Sequence, residues 1–178
     1  MSKKSYPLAK VYGLLETGPV LLLTTQDGQQ ANVMTLSWHT LLEFEPPQLG
    51  CVVSDRGFSH RALQATGEAV LNIPTVEIAE QVVGCGNTTG AEVDKFAQFG
   101  LTRRAAHQVA PPLIDECYAS LECRLVDTGM VSTYGLYVLE VVAAWVDPAV
   151  SEPRTLHHRG YGHFMVAGES IHLPSRMR

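Results

Sequence analysis

The sequence predicts a mainly β protein with short helices, folded as a closed or split β-barrel of Greek-key type. Three observations carry this expectation. Asp27-Gly28, the strongest short hairpin signal, joins two β-rich stretches. Residues 117–125 alternate between apolar and polar, and residues 137–146 are apolar except for Glu140. Between these halves lie short segments with helical spacing, so the order departs from the strict β–α alternation of a doubly wound sheet.

Taken in order, residues 19–25 (PVLLLTT) read as a strand rich in branched and β-forming residues. Residues 30–39 return as its partner. Along them Met34, Leu36 and Trp38 fall on one face, and Thr35, Ser37 and His39 on the other. Pro46-Pro47 breaks the chain, and 48–54 reads as a third, nearly all apolar strand. Asp55-Arg56-Gly57 reads as a turn, with Ser59 as N-cap of a helix reaching 64–65. Residues 69–73 make a short strand stopped by Pro74. Thr75 then caps a second helix, with Val76, Ala79, Val82 and Val83 at helical spacing. Gly84, Gly86 and Gly90 read as a loop, and 94–99 (DKFAQF) as a short helical turn. In 117–125, Cys117, Ala119, Leu121, Cys123 and Leu125 oppose Tyr118, Ser120, Glu122 and Arg124, and the run 137–146 suggests a strand buried on both faces. The sum is six or seven strands and two or three short helices.

Composition bounds the function. A length of 178 residues suits one domain, taken as 1–178, and such a chain buries roughly 70% of the surface its unfolded form exposes. The hydrophobic fraction is 46%, the charged fraction 17% and the net charge −5, with no basic run before the SRMR tail. Nucleic acid is therefore not the expected partner, because phosphate contacts need clustered Lys and Arg. No apolar run approaches the ~18 residues of a membrane span. The start, MSKKSYPLAK, has charge but no apolar segment after it, so it does not read as a signal peptide, and the expected compartment is the cytoplasm. The four cysteines, at 51, 85, 117 and 123, form no C-x-x-C pair and no repeated spacing, which argues against a structural zinc site or a disulfide framework.

Most motifs carry little chemistry of their own. GCGNTTG (84–90) is one residue off the dinucleotide fingerprint and follows a helix, not a strand; it reads as a turn with left-handed glycines. His157, His158 and His163 cluster in THHRGYGHF, leaving open a metal-lined barrel or a surface or dimer contact. No G-x-S-x-G elbow exists, and no paired carboxylates stand out, so no catalytic side chain is assigned. A chain with a pocket but no acid–base or nucleophilic set points to chemistry carried by a bound cofactor.

The face carrying Thr35, Ser37 and His39, with Trp38 beside it, reads as a wall for a flat polar ligand. Ser54-Asp55-Arg56-Gly57-Phe58-Ser59 then offers hydroxyls, an arginine, a glycine turn and a helix N-terminus, the parts of an anion site. Together they fit a mononucleotide with a ring. Edge-strand hydroxyls beside an ordinary capped helix are the other reading of the same residues.

The segments NVMTLSWHTLLEFEPPQLGCVVS (32–54), EAVLNIPTVEIAEQVVGCGNTTGAEVDKFAQFGLT (68–102), APPLIDECYASLECRLVDTG (110–129) and HHRGYGHFMVAG (157–168) resemble the flavin reductase-like, FMN-binding split-barrel family, closest to its flavoredoxin branch. The resemblance spans most of the chain from about residue 20. It implies a six-stranded Greek-key split barrel and a homodimer binding FMN near the subunit interface. It sets the flavin against Met34, Thr35, Ser37 and Trp38, with Cys51 near the ring. It sets the phosphate at Ser54, Arg56 and Ser59, and Lys95 close to the cofactor. The family commonly carries a serine or tyrosine where this chain has Gly57-Phe58, so Ser59, not Phe58, is the residue carried over. The implied chemistry is hydride transfer from NADH or NADPH to the flavin, with backbone N–H groups stabilising the reduced ring. Two functions follow from it: a nicotinamide-dependent flavin reductase or oxidoreductase, and an FMN electron carrier exchanging electrons with a redox protein. A histidine-lined metal barrel is the more distant alternative.

Overall fold

The computed structural model describes residues 3–11 and 18–176. The first half contains β1 (Lys4–Ser5), β2 (Leu21–Asp27), β3 (Gln30–Leu36), β4 (His39–Phe44), β5 (Pro47–Val52), α1 (Phe58–Thr66), β6 (Glu68–Ile73), α2 (Ala79–Asn87) and α3 (Lys95–Phe99). The second half contains β7 (Arg103–Arg104), β8 (Leu113–Ile114), β9 (Ala119–Asp127), α4 (Val131–Tyr134), β10 (Leu136–Val146), β11 (Leu156–His158) and β12 (Phe164–Val166).

One antiparallel sheet runs in the order β3-β2-β6-β9-β10-β5-β4, with β1 pairing β10 off this path. Its end strands, β3 and β4, are consecutive in sequence and separated only by Ser37 and Trp38. A link that short spans at most about 10 Å, so the sheet must curl until its two edges meet. His39 ties the seam: its Nε2 lies 2.7 Å from the carbonyl oxygen of Pro19, just ahead of β2. The strand expected over 30–39 therefore divides at Ser37-Trp38. His39 opens β4, opposite Cys51, and does not share a strand face with Thr35.

β2 explains the two cores. Leu21 and Leu23 point into the barrel with Leu36, Leu49, Leu71, Leu121 and Tyr137. Val20 and Leu22 point the other way, into a second cluster with Val33, Val82, Cys85, Phe96 and Ile114, under α2 and α3. The alternation of a strand thus packs one face on the barrel interior and the other on the helices.

Several elements differ from expectation. β10 is not buried on both faces. Tyr137, Leu139 and Val141 are buried while Val138, Glu140 and Val142 are half-buried, the one-sided pattern of an antiparallel sheet. A register shift between Val141 and Ala143 then brings Ala144 inward. Ser59 is not the cap of α1: Gly57 holds that position without a side-chain bond, and Ser59 lies inside the helix. Thr75 heads a single 3-10 turn (Val76–Ile78) before α2, again with no side-chain cap bond. Gly84 and Gly86 are not in a loop but within α2, and neither they nor Gly90 have positive φ. Gly84 and Gly90 are glycines for space. A Cβ at Gly84 would stand 2.4 Å from the Phe99 ring, and one at Gly90 would stand 2.0 Å from Asn32 Oδ1.

Candidate functional site

A cavity of about 290 Å³ opens between the edge strand β3, the turn before α1, and the far end of α2 with the start of α3. Because β3 is an edge, residues from both its faces reach the cavity: Asn32 and Met34 from one, Thr35 from the other. Ser54, Arg56, Gly57 and Ser59 form the second wall, and Cys85, Gly86, Gly90 and Lys95 the third.

The second wall is electropositive. The chain turns at Ser54–Gly57, where Gly57 N–H donates to the Ser54 carbonyl at 3.2 Å, and enters α1. No side chain caps α1 and no acidic residue sits in its first turn, so its N-terminal N–H groups lie at the cavity wall without a side-chain acceptor, with Asp55 in the preceding turn outside the lining. The exposed Arg56 has no carboxylate within ion-pair distance among the described residues.

Lys95 closes the third wall. Asp94 caps α3 by accepting from the backbone N–H groups of Phe96 and Ala97, which fixes Lys95 as the first helical residue. Its side chain is 4% exposed, and its ammonium donates to the Cys85 carbonyl at 2.8 Å. An ammonium has three donors, and among the described residues no carboxylate pairs with it. Burial lowers its pKa below the usual lysine value. A buried, under-partnered cation beside an uncapped helix N-terminus is an anion-binding arrangement.

Asn32 completes the set. Its Nδ2 donates to Ser59 Oγ at 3.0 Å, while its Oδ1 is buried without a partner. Thr35 is otherwise engaged: its hydroxyl donates to the Val82 carbonyl at 2.5 Å and anchors α2 on β3, leaving its backbone and methyl for the cavity.

Of the residues singled out in the sequence, Met34, Thr35, Ser54, Arg56, Ser59 and Lys95 meet in this cavity. Ser37 lines a neighbouring hollow of about 240 Å³, reached across Thr35 and Gly86 and bounded by Val20, His158 and Phe164. Trp38 is 72% exposed and lines neither. Cys51 lies fully buried in the barrel core, where burial pushes its thiol up to about 12. It is protonated at neutral pH and lines neither hollow. His157 pairs with Thr155 Oγ1 at 2.9 Å and His158 packs on Phe164, and among the described residues no three ligating side chains converge. Sequence reading missed Asn32 as a site residue, and it missed the wall from Cys85 to Gly90. The small residues of GCGNTTG were the available signal, because glycine at 84 leaves room for Phe99 and glycine at 90 leaves room for Asn32.

Residues 15–165 match the flavin reductase like domain. The chain is 31% identical over 172 residues to YddH of Escherichia coli K12, itself uncharacterized, covering 89% of this chain and 91% of that protein. The crystal structure of an FMN-binding domain of a flavin reductases-like enzyme from Shewanella baltica is similar at a TM-score of 0.92 and 27% identity, covering 97% of this chain and 98% of its own. The flavoredoxin of Desulfovibrio vulgaris (Miyazaki F) shares the fold at a TM-score of 0.80 and 20% identity, over 88% and 90% of the two chains. The domain match takes in β2 to β11 and every wall of the cavity, and the chain belongs to the flavin reductase-like family of split barrels.

Proposed function

We propose that the protein is an FMN-dependent oxidoreductase that passes electrons from NADH, NADPH or a redox protein to its flavin and on to an acceptor. The observation that carries this reading is the cavity beside β3, where an uncapped helix N-terminus, Arg56 and the under-partnered Lys95 converge in a chain of net charge −5. Such a spot attracts an anion against the field of the whole molecule.

The residues present fit the group. The first turn of α1, Arg56 and Lys95 hold the phosphate, with Ser54 and Ser59 at the same wall. Met34 and Thr35 present the edge of β3 along the ligand, and Ser37 leads into the adjoining hollow, where there is room beside His158 and Phe164 for a planar partner. Bound FMN supplies the hydride and single-electron chemistry. The chain's own part is to bind, orient and exclude water, which agrees with the protonated, buried state of Cys51.

The same reading takes the protein as a homodimer. Trp38, Leu42 and Phe44, at and beside the edge strand β4, are 72%, 51% and 59% exposed, a concentration of apolar side chains that fits a partner subunit. Four free, buried cysteines accord with a reducing cytoplasm, and no helix among the described residues is long and apolar enough to cross a membrane.

The test is ligand discrimination. Arg56→Ala should weaken FMN binding more than riboflavin binding, because only FMN carries the phosphate; equal losses would reject the phosphate assignment.

A further inference from the structure

The turn that leads into α1 is weakly held from within. Arg56 N–H reaches Ser54 Oγ only at 3.5 Å, Gly57 N–H reaches the Ser54 carbonyl at 3.2 Å, and no side chain caps the helix. N–H groups bind an anion tightly only where they already point at it, so a soft turn needs anchors outside itself. Ahead of the turn, Val53 N–H donates to the Gly135 carbonyl at 2.9 Å. The two backbones lie in contact. A Cβ at Gly135 would stand 2.8 Å from the Val53 carbonyl oxygen, and Gly135 holds a φ of +66° at the end of α4, so glycine is required there.

Behind the turn, the start of β10 grips the chain again. Tyr137 Oη lies 2.8 Å from Nδ1 of His60, in the first turn of α1, and the two rings meet edge to face at 5.7 Å. Tyr137 is fully buried in the barrel core, opposite Cys51, and lines neither hollow. Phenylalanine would fill the same space without taking an oxygen out of water, so the hydroxyl serves its bond to His60. Residues 135–137 thus hold the chain at Val53 and at His60 and bracket the turn between them, while Ser59 is tied the other way, to Asn32 on β3. Resting on the reading of the cavity as a flavin phosphate site, we propose that Tyr137 is a positioning residue for that phosphate. Its hydroxyl acts through His60 to fix the first turn of α1 in the orientation that aims its N–H groups at the anion.

The experiment measures dissociation constants of FMN and riboflavin by flavin fluorescence for the wild type, Tyr137→Phe, His60→Leu, the double variant and His60→Asn. Tyr137→Phe should weaken FMN by about fivefold, the scale of one net hydrogen bond, and leave riboflavin within about twofold. His60→Leu should do the same. The double variant should lose no more than either single one, because both substitutions remove one bond. His60→Asn keeps a polar side-chain atom near the place of Nδ1 and should hold FMN near the wild-type value. If circular dichroism shows Tyr137→Phe unfolded, the contrast between His60→Leu and His60→Asn carries the test. Unchanged FMN affinity in Tyr137→Phe would overturn the proposal. So would equal losses for the two flavins, which mark general packing, additive losses in the double variant, which mark two separate effects, or an Asn variant as weak as the Leu variant. A wild type that binds riboflavin as tightly as FMN, or binds neither, would overturn the phosphate reading itself, and this inference with it.

Discussion

Single residues here carry opposite demands. Lys95 is buried with one hydrogen bond and no carboxylate partner among the described residues, so its charge weakens the free protein. Lys95→Met should therefore raise the melting temperature of the flavin-free protein while reducing FMN affinity. The pH dependence follows from the sign of the shift. The folded pKa is lowered from the ordinary 10.5, so between those two values the unfolded state binds more protons at this site. The penalty is complete below the folded pKa and is relieved as pH rises toward 10.5, so the stability advantage of Lys95→Met should shrink in alkaline buffer. Denaturant titrations of both proteins across that range check this, and an advantage that grows with pH would contradict it. Cys51 stands at the other extreme, fully buried and uncharged. Cys51→Ala should cost about 1 kcal/mol of stability, the scale of a small core deletion, and leave flavin reduction intact. Abolished reduction with FMN still bound would give the thiol a part in the chemistry.

At the scale of elements, α2 is the hinge of the account, because its C-terminal half forms the cavity wall opposite α1. Gly84 lets it pack against Phe99 on α3, where a Cβ would stand 2.4 Å from the ring. Gly84→Ala should destabilise the fold by about 1–3 kcal/mol, the usual cost of overpacking. Gly86→Ala, whose Cβ would meet Thr35 at 3.4 Å, should cost markedly less. Thermal melts of the two variants decide it, and equal losses would contradict the packing account. These glycines also show where sequence reading ended. The hairpin at Asp27-Gly28, the break at Pro46-Pro47 and the alternation of β9 were legible because they depend on local turn chemistry and period. Gly84 in α2 and Gly90 beyond its end were not, because their reason lies in residues distant along the chain, Phe99 and Asn32. The split between β3 and β4 escaped for a related cause. Ser37 and Trp38 continue a strand pattern, and only closure of the barrel requires the chain to turn there.

For the whole molecule, the proposed anion site was legible as a list of residues but not as a cavity. Ser54, Arg56 and Ser59 were near neighbours in sequence, whereas Lys95 and Asn32 arrive only when α3 and β3 pack around α1. Ser37 and Trp38 fell elsewhere because the strand carrying them ends at Leu36. The exposed apolar side chains of the β4 region belong to this scale as well. Leu42→Glu with Phe44→Glu should convert a dimer to monomers in sedimentation velocity while circular dichroism stays unchanged. A wild type already monomeric at micromolar concentration would contradict the dimer.

The most direct measurement is the absorbance spectrum of the purified protein, incubated with FMN, passed through gel filtration, and recorded anaerobically before and after adding NADH or NADPH. Flavin bands that travel with the protein and bleach on adding the nicotinamide are the predicted result; bands that persist would assign the electrons to another donor. A protein that emerges colourless after excess FMN would contradict the central claim that the cavity between β3, α1 and Lys95 holds a flavin.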